Sequence, residues 1–170
     1  MNLIIYNRFL FPWKVPSLNE LNFMRGIEGK NQKKSWLLTP KTKNKKSPYK
    51  FNLYNVLKQE WSKKVFTHVK STGFNKCESA YFHYLVVEPN LKRDPSNICS
   101  SAIKFIEDGL QDAEVIPNDG WQNVLGIRPY WTLDRESEGA VFLLMANEPL
   151  SQNAIESYYN EFKKNGSGTK

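Results

Sequence analysis

The 170-residue sequence contains few cysteines and histidines and no long hydrophobic run. Two cysteines, Cys77 and Cys99, are too few for a disulfide framework, which indicates reduced thiols. The two histidines, His68 and His83, fall on separate predicted elements, and this excludes a structural zinc site. No apolar run approaches the roughly 18 residues that a membrane span needs, and the N-terminus lacks a secretory pattern. We therefore expect a cytoplasmic protein with no membrane contact.

Length and composition favour one globular domain. The chain is 40% hydrophobic and 24% charged, which is typical of a folded domain with its own core. We find neither an internal repeat nor a second composition regime. The sequence thus predicts a single domain over residues 1–164, with a basic loop at about 29–50 and a disordered polar tail over 165–170.

Acidic residues are absent between residues 30 and 50, where eight lysines occur. The net charge of the whole chain is +7, so leaving out these eight lysines gives −1. Prolines interrupt the segment and its lysines follow no helical or strand period, which predicts a basic loop. Two interpretations remain open, a solubilising loop and an arm that binds the phosphates of a nucleic acid. The lysines are Lys30, Lys33, Lys34, Lys41, Lys43, Lys45, Lys46 and Lys50.

Hydrophobic periodicity predicts an α/β fold, with a mixed sheet packed by helices. Strands are expected at Leu3–Tyr6 and Ala80–Glu88, the second of them central in the sheet because it is apolar on both faces. Residues 121–131 and 139–146 are expected to form two strands paired with each other. Helices are expected from Asn52 to about Thr72, from Asp94 onward, and over Ser151–Lys164.

The histidines and Cys99 carry no catalytic pattern. No Ser, Cys or Asp pattern surrounds His68 or His83, so packing is the expected role of both. Cys99 is expected to be a small buried apolar residue one turn into its helix.

Two aspartates flank the predicted helix that follows the central strand. Asp94 comes directly after Lys92 and Arg93, and Asp119 lies in a turn beyond the helix. Strand–helix–loop geometry can bring the two carboxylates together, and carboxylate oxygens are the ligands that Mg²⁺ prefers. The alternative is structural, with Asp94 as a helix cap and Asp119 as a turn residue.

Four stretches together resemble a known family. They read VPSLNE at 15–20, KRDPSNI at 92–98, KFIEDGL at 104–110 and VIPNDGW at 115–121. In this combination they resemble the RusA family of Holliday junction resolvases, and its phage-borne branch in particular. The resemblance extends from about residue 12 to residue 146.

The resemblance implies a homodimeric, Mg²⁺-dependent endodeoxyribonuclease that cuts four-way junctions or other branched DNA symmetrically. This activity serves DNA recombination and repair, in the cytoplasm of a bacterial or phage-infected cell. Asp94 and Asp119 match metal-binding aspartates of the family, and Lys104 matches the lysine on the helix. We also expect Lys92, Arg93 and the lysines of the basic loop to contact DNA.

Ser96 departs from the family pattern, which has a second aspartate at this position. Losing one carboxylate near Mg²⁺ removes an attraction of about 4 kcal/mol, before desolvation is considered. A hydroxyl or water at Ser96, or a carboxylate from Glu20, Glu88 or Glu107, would have to take its place. The sequence thus leaves open a slower nuclease and a relative that binds branched DNA without cutting. A basic RNA-associated protein would explain the lysines but not the motifs.

Overall fold

A computed structural model describes residues 2–17 and 53–165 of the chain. The predicted basic loop and the tail over 166–170 lie outside the described residues. The described part contains four strands and three helices, which confirms the α/β class. In chain order they are β1 (Ile5–Phe11), α1 (Leu53–Thr72), β2 (Ala80–Glu88), α2 (Pro95–Asp112), β3 (Val124–Leu133), β4 (Ala140–Ala146) and α3 (Gln152–Lys164).

The strands form one mixed sheet in the order β1-β4-β2-β3. Strand β4 runs antiparallel to both β1 and β2, whereas β3 runs parallel to β2. The predicted central position of β2 is confirmed. The predicted pairing of the strands at 121–131 and 139–146 is wrong, because β4 lies between β1 and β2 instead. All seven residues of β4 are buried, which suits an inner position, while β3 alternates in exposure as an edge strand does.

The sheet is covered on both faces. Helices α1 and α2 pack on one face, where Val65 and Phe105 join a core cluster with Phe82 and Tyr84 of β2. Helix α3 packs on the other face through Ile155 and Tyr159. Because side chains alternate along a strand, neighbouring residues of β2 serve opposite layers. This arrangement leaves α2 directly beside the central strand.

Helix α2 begins and packs as its sequence predicts. Asp94 has extended backbone angles and its side chain accepts a hydrogen bond from the Ser96 amide, while Pro95 takes the first helical position. The apolar stripe predicted for this helix is buried throughout, and it consists of Ile98, Ala102, Phe105, Ile106 and Leu110.

Strand β1 begins at Ile5, two residues after the start of the predicted Leu3–Tyr6 strand, and it continues to Phe11. It can continue because a buried polar residue within it has its hydrogen bonds satisfied. The Asn7 side chain donates to the carbonyl of Asn75 and accepts from its amide, both at 2.8 Å. Burying the side-chain amide of Asn7 costs little free energy because these two hydrogen bonds are formed, so the strand continues past this residue.

The packing roles of His83 and Cys99 are confirmed. His83 is fully buried, and its Nε2 accepts from the Leu150 amide at 2.9 Å while Nδ1 lies 3.2 Å from the Leu144 carbonyl. Burial raises the pKa of Cys77 and of Cys99 to about 11, so both thiols are protonated at neutral pH. His68 is half-buried against the ring of Phe11, with 5.5 Å between ring centroids.

Strand β3 carries an exposed apolar row. Ile127, Pro129 and Trp131 pair with Phe82, Tyr84 and Val86 of β2, so they share the sheet face on which α1 and α2 pack. The two helices nevertheless leave Ile127 41% and Trp131 52% exposed.

In the described part of the chain, no helix has both the length and the apolar character to cross a membrane.

Gly109 sets the close approach of α1 and α2. A Cβ at this position would lie 2.5 Å from Cγ1 of Val65 and 2.8 Å from the carbonyl oxygen of Ser62. Only a residue without a side chain fits this crossing point.

We predict that Gly109→Ala lowers the free energy of unfolding by about 1–3 kcal/mol, because the new methyl group overpacks the contact. At an uncrowded helix position, Gly→Ala raises the free energy of unfolding by up to about 1 kcal/mol. The sign of the change in the free energy of unfolding therefore tells a crowded position from an open one. Urea denaturation measures the effect, with Ser100→Ala on the exposed side of α2 as the control. A stability equal to or above that of the unaltered protein would contradict the close approach.

Candidate functional site

Asp94 lies at the first turn of α2, where its exposed carboxylate is held by two local hydrogen bonds. Oδ1 accepts from the Ser96 amide at 2.9 Å, and Oδ2 accepts from Nδ2 of Asn97 at 3.1 Å. The interpretation of Asp94 as a helix cap is therefore confirmed. Each oxygen keeps a second lone pair, so capping does not prevent Asp94 from binding a cation.

Asp119 lies in the turn after α2, which confirms its interpretation as a turn residue. The Asn118 side chain fixes this turn by accepting from the Gly120 amide at 2.7 Å. The Nζ of Lys104 then lies 2.7 Å from Oδ2 of Asp119. Two of the residues chosen from the sequence are thus in direct contact.

Lys104 belongs to a chain of alternating charges that crosses three elements. Its Nζ also lies 2.8 Å from Oδ1 of Asp108, while Oδ2 of Asp108 lies 2.7 Å from Nζ of Lys58 on α1. The hydrogen bonds that Lys104 donates to Asp108 and Asp119 raise the pKa of Lys104, and the bond to Asp119 lowers the pKa of Asp119. At neutral pH Lys104 and Asp119 are therefore both charged, and they form an ion pair.

The two aspartates are held at different heights along α2. Asn97, which binds Asp94, and Lys104, which binds Asp119, are on one face of the helix and about 10 Å apart along its axis. Among residues 2–17 and 53–165, no three His, Cys, Asp or Glu side chains are grouped as a metal site. Oxygen donors in exposed carboxylates are chemically suited to Mg²⁺, which also retains water ligands. Because they are held at different heights along α2, Asp94 and Asp119 would have to move closer together to bind one ion.

The remaining residues chosen as DNA contacts fall into three groups. Lys92 is exposed in the turn that precedes α2. Arg93 is largely buried, with its Nη1 2.9 Å from Oε1 of Glu88 and Nη2 donating to the Val15 carbonyl, so it fastens β2 to the segment after β1. The eight lysines between residues 30 and 50 lie outside the described residues.

Sequence reasoning gave Glu107 only a minor part, as one substitute for the missing carboxylate. The structure buries it to 6% exposure, where its Oε1 accepts from the Tyr84 hydroxyl at 3.4 Å. Burial, with a further contribution from the charge of Asp119, raises the pKa of Glu107 to about 7. The sequence signal that could have indicated a buried Glu107 is its position directly beside the apolar stripe of α2, three residues after Lys104.

The site thus contains exposed carboxylates, an ammonium group and a buried acid that titrates near neutrality. Such groups can hold a cation, contact a phosphate and exchange a proton. Comparison with protein-family models and with curated proteins gave no match for this chain. The functional argument therefore depends on the residues themselves and on the family resemblance of their motifs.

We predict that Glu107 makes the protein less stable as the pH rises from about 4.5 to about 7. In this range the folded protein retains a proton that the unfolded chain has released, so the free energy of unfolding falls by up to about 3 kcal/mol. Thermal unfolding at pH 5 and pH 8 measures this effect. Glu107→Gln should remove most of the fall, and an identical pH dependence in both proteins would contradict the assignment.

Proposed function

We propose that this protein is a Mg²⁺-dependent endodeoxyribonuclease that hydrolyses phosphodiester bonds in four-way junctions or other branched DNA. One observation carries the proposal. Lys104, on the helix that Asp94 caps, is in contact with Asp119 in the turn beyond that helix, and the resemblance implies both residues. Turn and helix are thus arranged so that a carboxylate and an ammonium group are presented together to solvent.

In this proposal the residues have separate roles. Asp94 and Asp119 hold Mg²⁺ through carboxylate oxygens, with the Ser96 hydroxyl or a water in the third position. When bound, the ion activates water and neutralises charge on the phosphate. Lys104 exchanges its contact with Asp119 for one with the DNA phosphate, and Asp108 keeps its ammonium group in place at 2.8 Å.

DNA affinity and assembly complete the proposal. The lysines between residues 30 and 50, together with exposed Lys92, supply phosphate contacts. A homodimer provides one site for each of two strands. The exposed row on β3, which includes Ile127 and Trp131, offers apolar surface that a second copy would remove from water.

We predict that Asp94→Asn or Asp119→Asn abolishes Mg²⁺-dependent cutting of a synthetic four-way junction and leaves binding largely intact. Asparagine is also a good helix cap, so the Asp94 variant should keep α2 folded. Gel analysis of cleavage and of binding without Mg²⁺ separates the two effects.

The matched control is Asp134→Asn, which breaks a similar ion pair, to Lys163 at 2.6 Å, on the α3 side of the sheet. It should cut normally. Undiminished cutting by both site variants would disprove the assignment of Asp94 and Asp119.

A second candidate function is binding of branched DNA without cutting. Lys104 occupies Oδ2 of Asp119, and position 96 offers Asp94 a backbone amide but no second carboxylate. Both features weaken cation binding. In this alternative Lys104 and the basic lysines hold DNA, and the aspartates are structural.

We predict that Ser96→Asp raises Mg²⁺-dependent cutting at least tenfold if the missing carboxylate limits the reaction. The new charge lies in the first turn of α2, where a helix favours anions, so folding should be preserved. Ser100→Asp, which adds the same charge one turn later, is the control. Equal rates in the unaltered protein and both variants would show that another group already fills this role.

A further inference from the structure

Two large apolar side chains are far more exposed than any other in the described part of the chain. Trp121 is 85% and Leu91 84% exposed, whereas every other exposed large apolar side chain there is at most 53% exposed. Neither of the two belongs to the apolar row on β3. Folding normally removes side chains of this size from water, because their burial is the main favourable contribution to stability. The core of this protein therefore makes little use of Trp121 and Leu91.

Both side chains lie on the turns that carry the two candidate aspartates. Leu91 precedes Asp94 by three residues, and Trp121 follows Asp119 by two. An extended chain advances by at most about 3.6 Å per residue, so the Cα atoms of Trp121 and Asp119 are within about 7 Å of each other. By the same measure the Cα atoms of Leu91 and Asp94 are within about 11 Å. Each aspartate thus has one exposed apolar side chain close to it.

Hydrogen bonds fix the backbone of both turns. In the first turn, the Asn90 side chain accepts from the Lys92 amide at 3.0 Å. In the second, the Asn123 amide donates to the Gly120 carbonyl at 2.9 Å, directly beside Trp121. A side chain on a fixed backbone loses less conformational entropy when it contacts a ligand, so both turns favour binding.

An ammonium group lies near each apolar side chain. Lys92 is exposed and follows Leu91 directly in the chain. On the second turn, Nζ of Lys104 lies 2.7 Å from Oδ2 of Asp119. A cation together with an exposed apolar or aromatic group is the combination that holds an unpaired nucleotide, with the cation on the phosphate and the other group on the base.

The surroundings of Trp121 disfavour a protein as the partner. Its neighbours in the chain include Asn118, Asp119 and Gln122, all of which are polar. A protein interface has an apolar centre of several side chains, which the row on β3 offers and this turn does not. One ring among polar groups suits one flat partner such as a nucleobase, since every base has a π-face.

We propose that Trp121 stacks on an uncovered base at the branch point of DNA and that Leu91 packs against the opened base step there. This inference rests on the proposed function and deepens it, because it names the residues by which the site selects branched over linear DNA. In a continuous duplex the neighbouring pairs cover both faces of each inner base, whereas a branch point offers uncovered faces. A single strand has the same chemistry, and the experiment distinguishes the two sources.

The test uses the full chain and three fluorescein-labelled DNAs, a four-way junction, a linear duplex and a single strand, with binding followed by fluorescence anisotropy in the absence of Mg²⁺. Trp121→Ala should weaken junction binding at least fivefold, the contribution of one stacked base, and duplex binding less than twofold. Trp121→Phe keeps a ring and should recover most of the affinity, whereas Trp121→Leu should not. Leu91→Ala should weaken junction binding about two- to fivefold, because less apolar surface leaves water.

Ile4→Ala is the matched control. It shortens a 50% exposed apolar side chain directly before β1, at the opposite edge of the sheet from β3, and it should bind all three DNAs normally. The thermal midpoints of all variants should equal that of the unaltered protein, because substitutions at exposed positions rarely change stability. This measurement separates lost binding from lost folding.

A loss for the junction with unchanged single-strand binding would identify the branch point as the source of the base, and equal losses for both would identify any unpaired base. Unchanged junction affinity in either alanine variant, full affinity in Trp121→Leu, equal losses for junction and duplex, or no junction binding by the unaltered protein would each overturn the proposal. Loss of self-association in Trp121→Ala, measured by sedimentation velocity, would also overturn it, because the side chain would then belong to a protein interface.

This outcome is independent of cleavage, because the binding assay contains no Mg²⁺. Absence of Mg²⁺-dependent cutting, with junction binding weakened in Trp121→Ala, would overturn the proposed function and leave the assignment of Trp121 in place. Cutting that depends on Asp94, with unaltered junction binding in Trp121→Ala, would do the reverse.

Discussion

The arrangement of this protein depends on the burial of α2 against the central strand β2. The apolar stripe of α2 fixes the rotation of the helix, so its polar residues can lie on one side only. Asn97, Lys104 and Asp108 follow each other along that side, and each meets a carboxylate or an ammonium group from another position. The candidate site is therefore a consequence of core packing. A change that rotates α2 would move all three of these side chains away from their partners at once.

The alternating charges of Lys58, Asp108, Lys104 and Asp119 link the two helices to the turn at 117–120. Individual ion pairs at partly exposed positions contribute little to stability, typically below about 1 kcal/mol. Their value here is geometric, since they hold long side chains in defined positions. The same contacts oppose cation binding, because an ammonium group and a metal ion compete for one carboxylate. A cation that binds Asp119 would thus have to compete with Lys104.

Local signals in the sequence predicted most of the fold. Asp94-Pro95 indicated the start of α2, because a helix cap requires particular residue types. The apolar run at 80–88 indicated the central strand, because a strand buried on both faces is apolar at successive positions. The pairing of β3 was missed, since strand order depends on the crossover through α2 and on which strand must be buried. The motifs selected Lys104 and Asp119, which are in contact, whereas the raised pKa of Glu107 depends on burial by tertiary neighbours that its local sequence does not specify.

Pro129 gives the edge strand β3 a further property. A ten-residue edge with an apolar row is a template for uncontrolled pairing with other chains, and it is the kind of surface from which fibrils grow. Proline lacks the amide hydrogen that a continuous ladder requires, and in sheets it is largely confined to edge strands and bulges. Placed in the middle of β3, it interrupts any long intermolecular ladder and leaves the neighbouring side chains accessible. Growth of cross-β aggregates from this edge of the sheet is therefore hindered by Pro129.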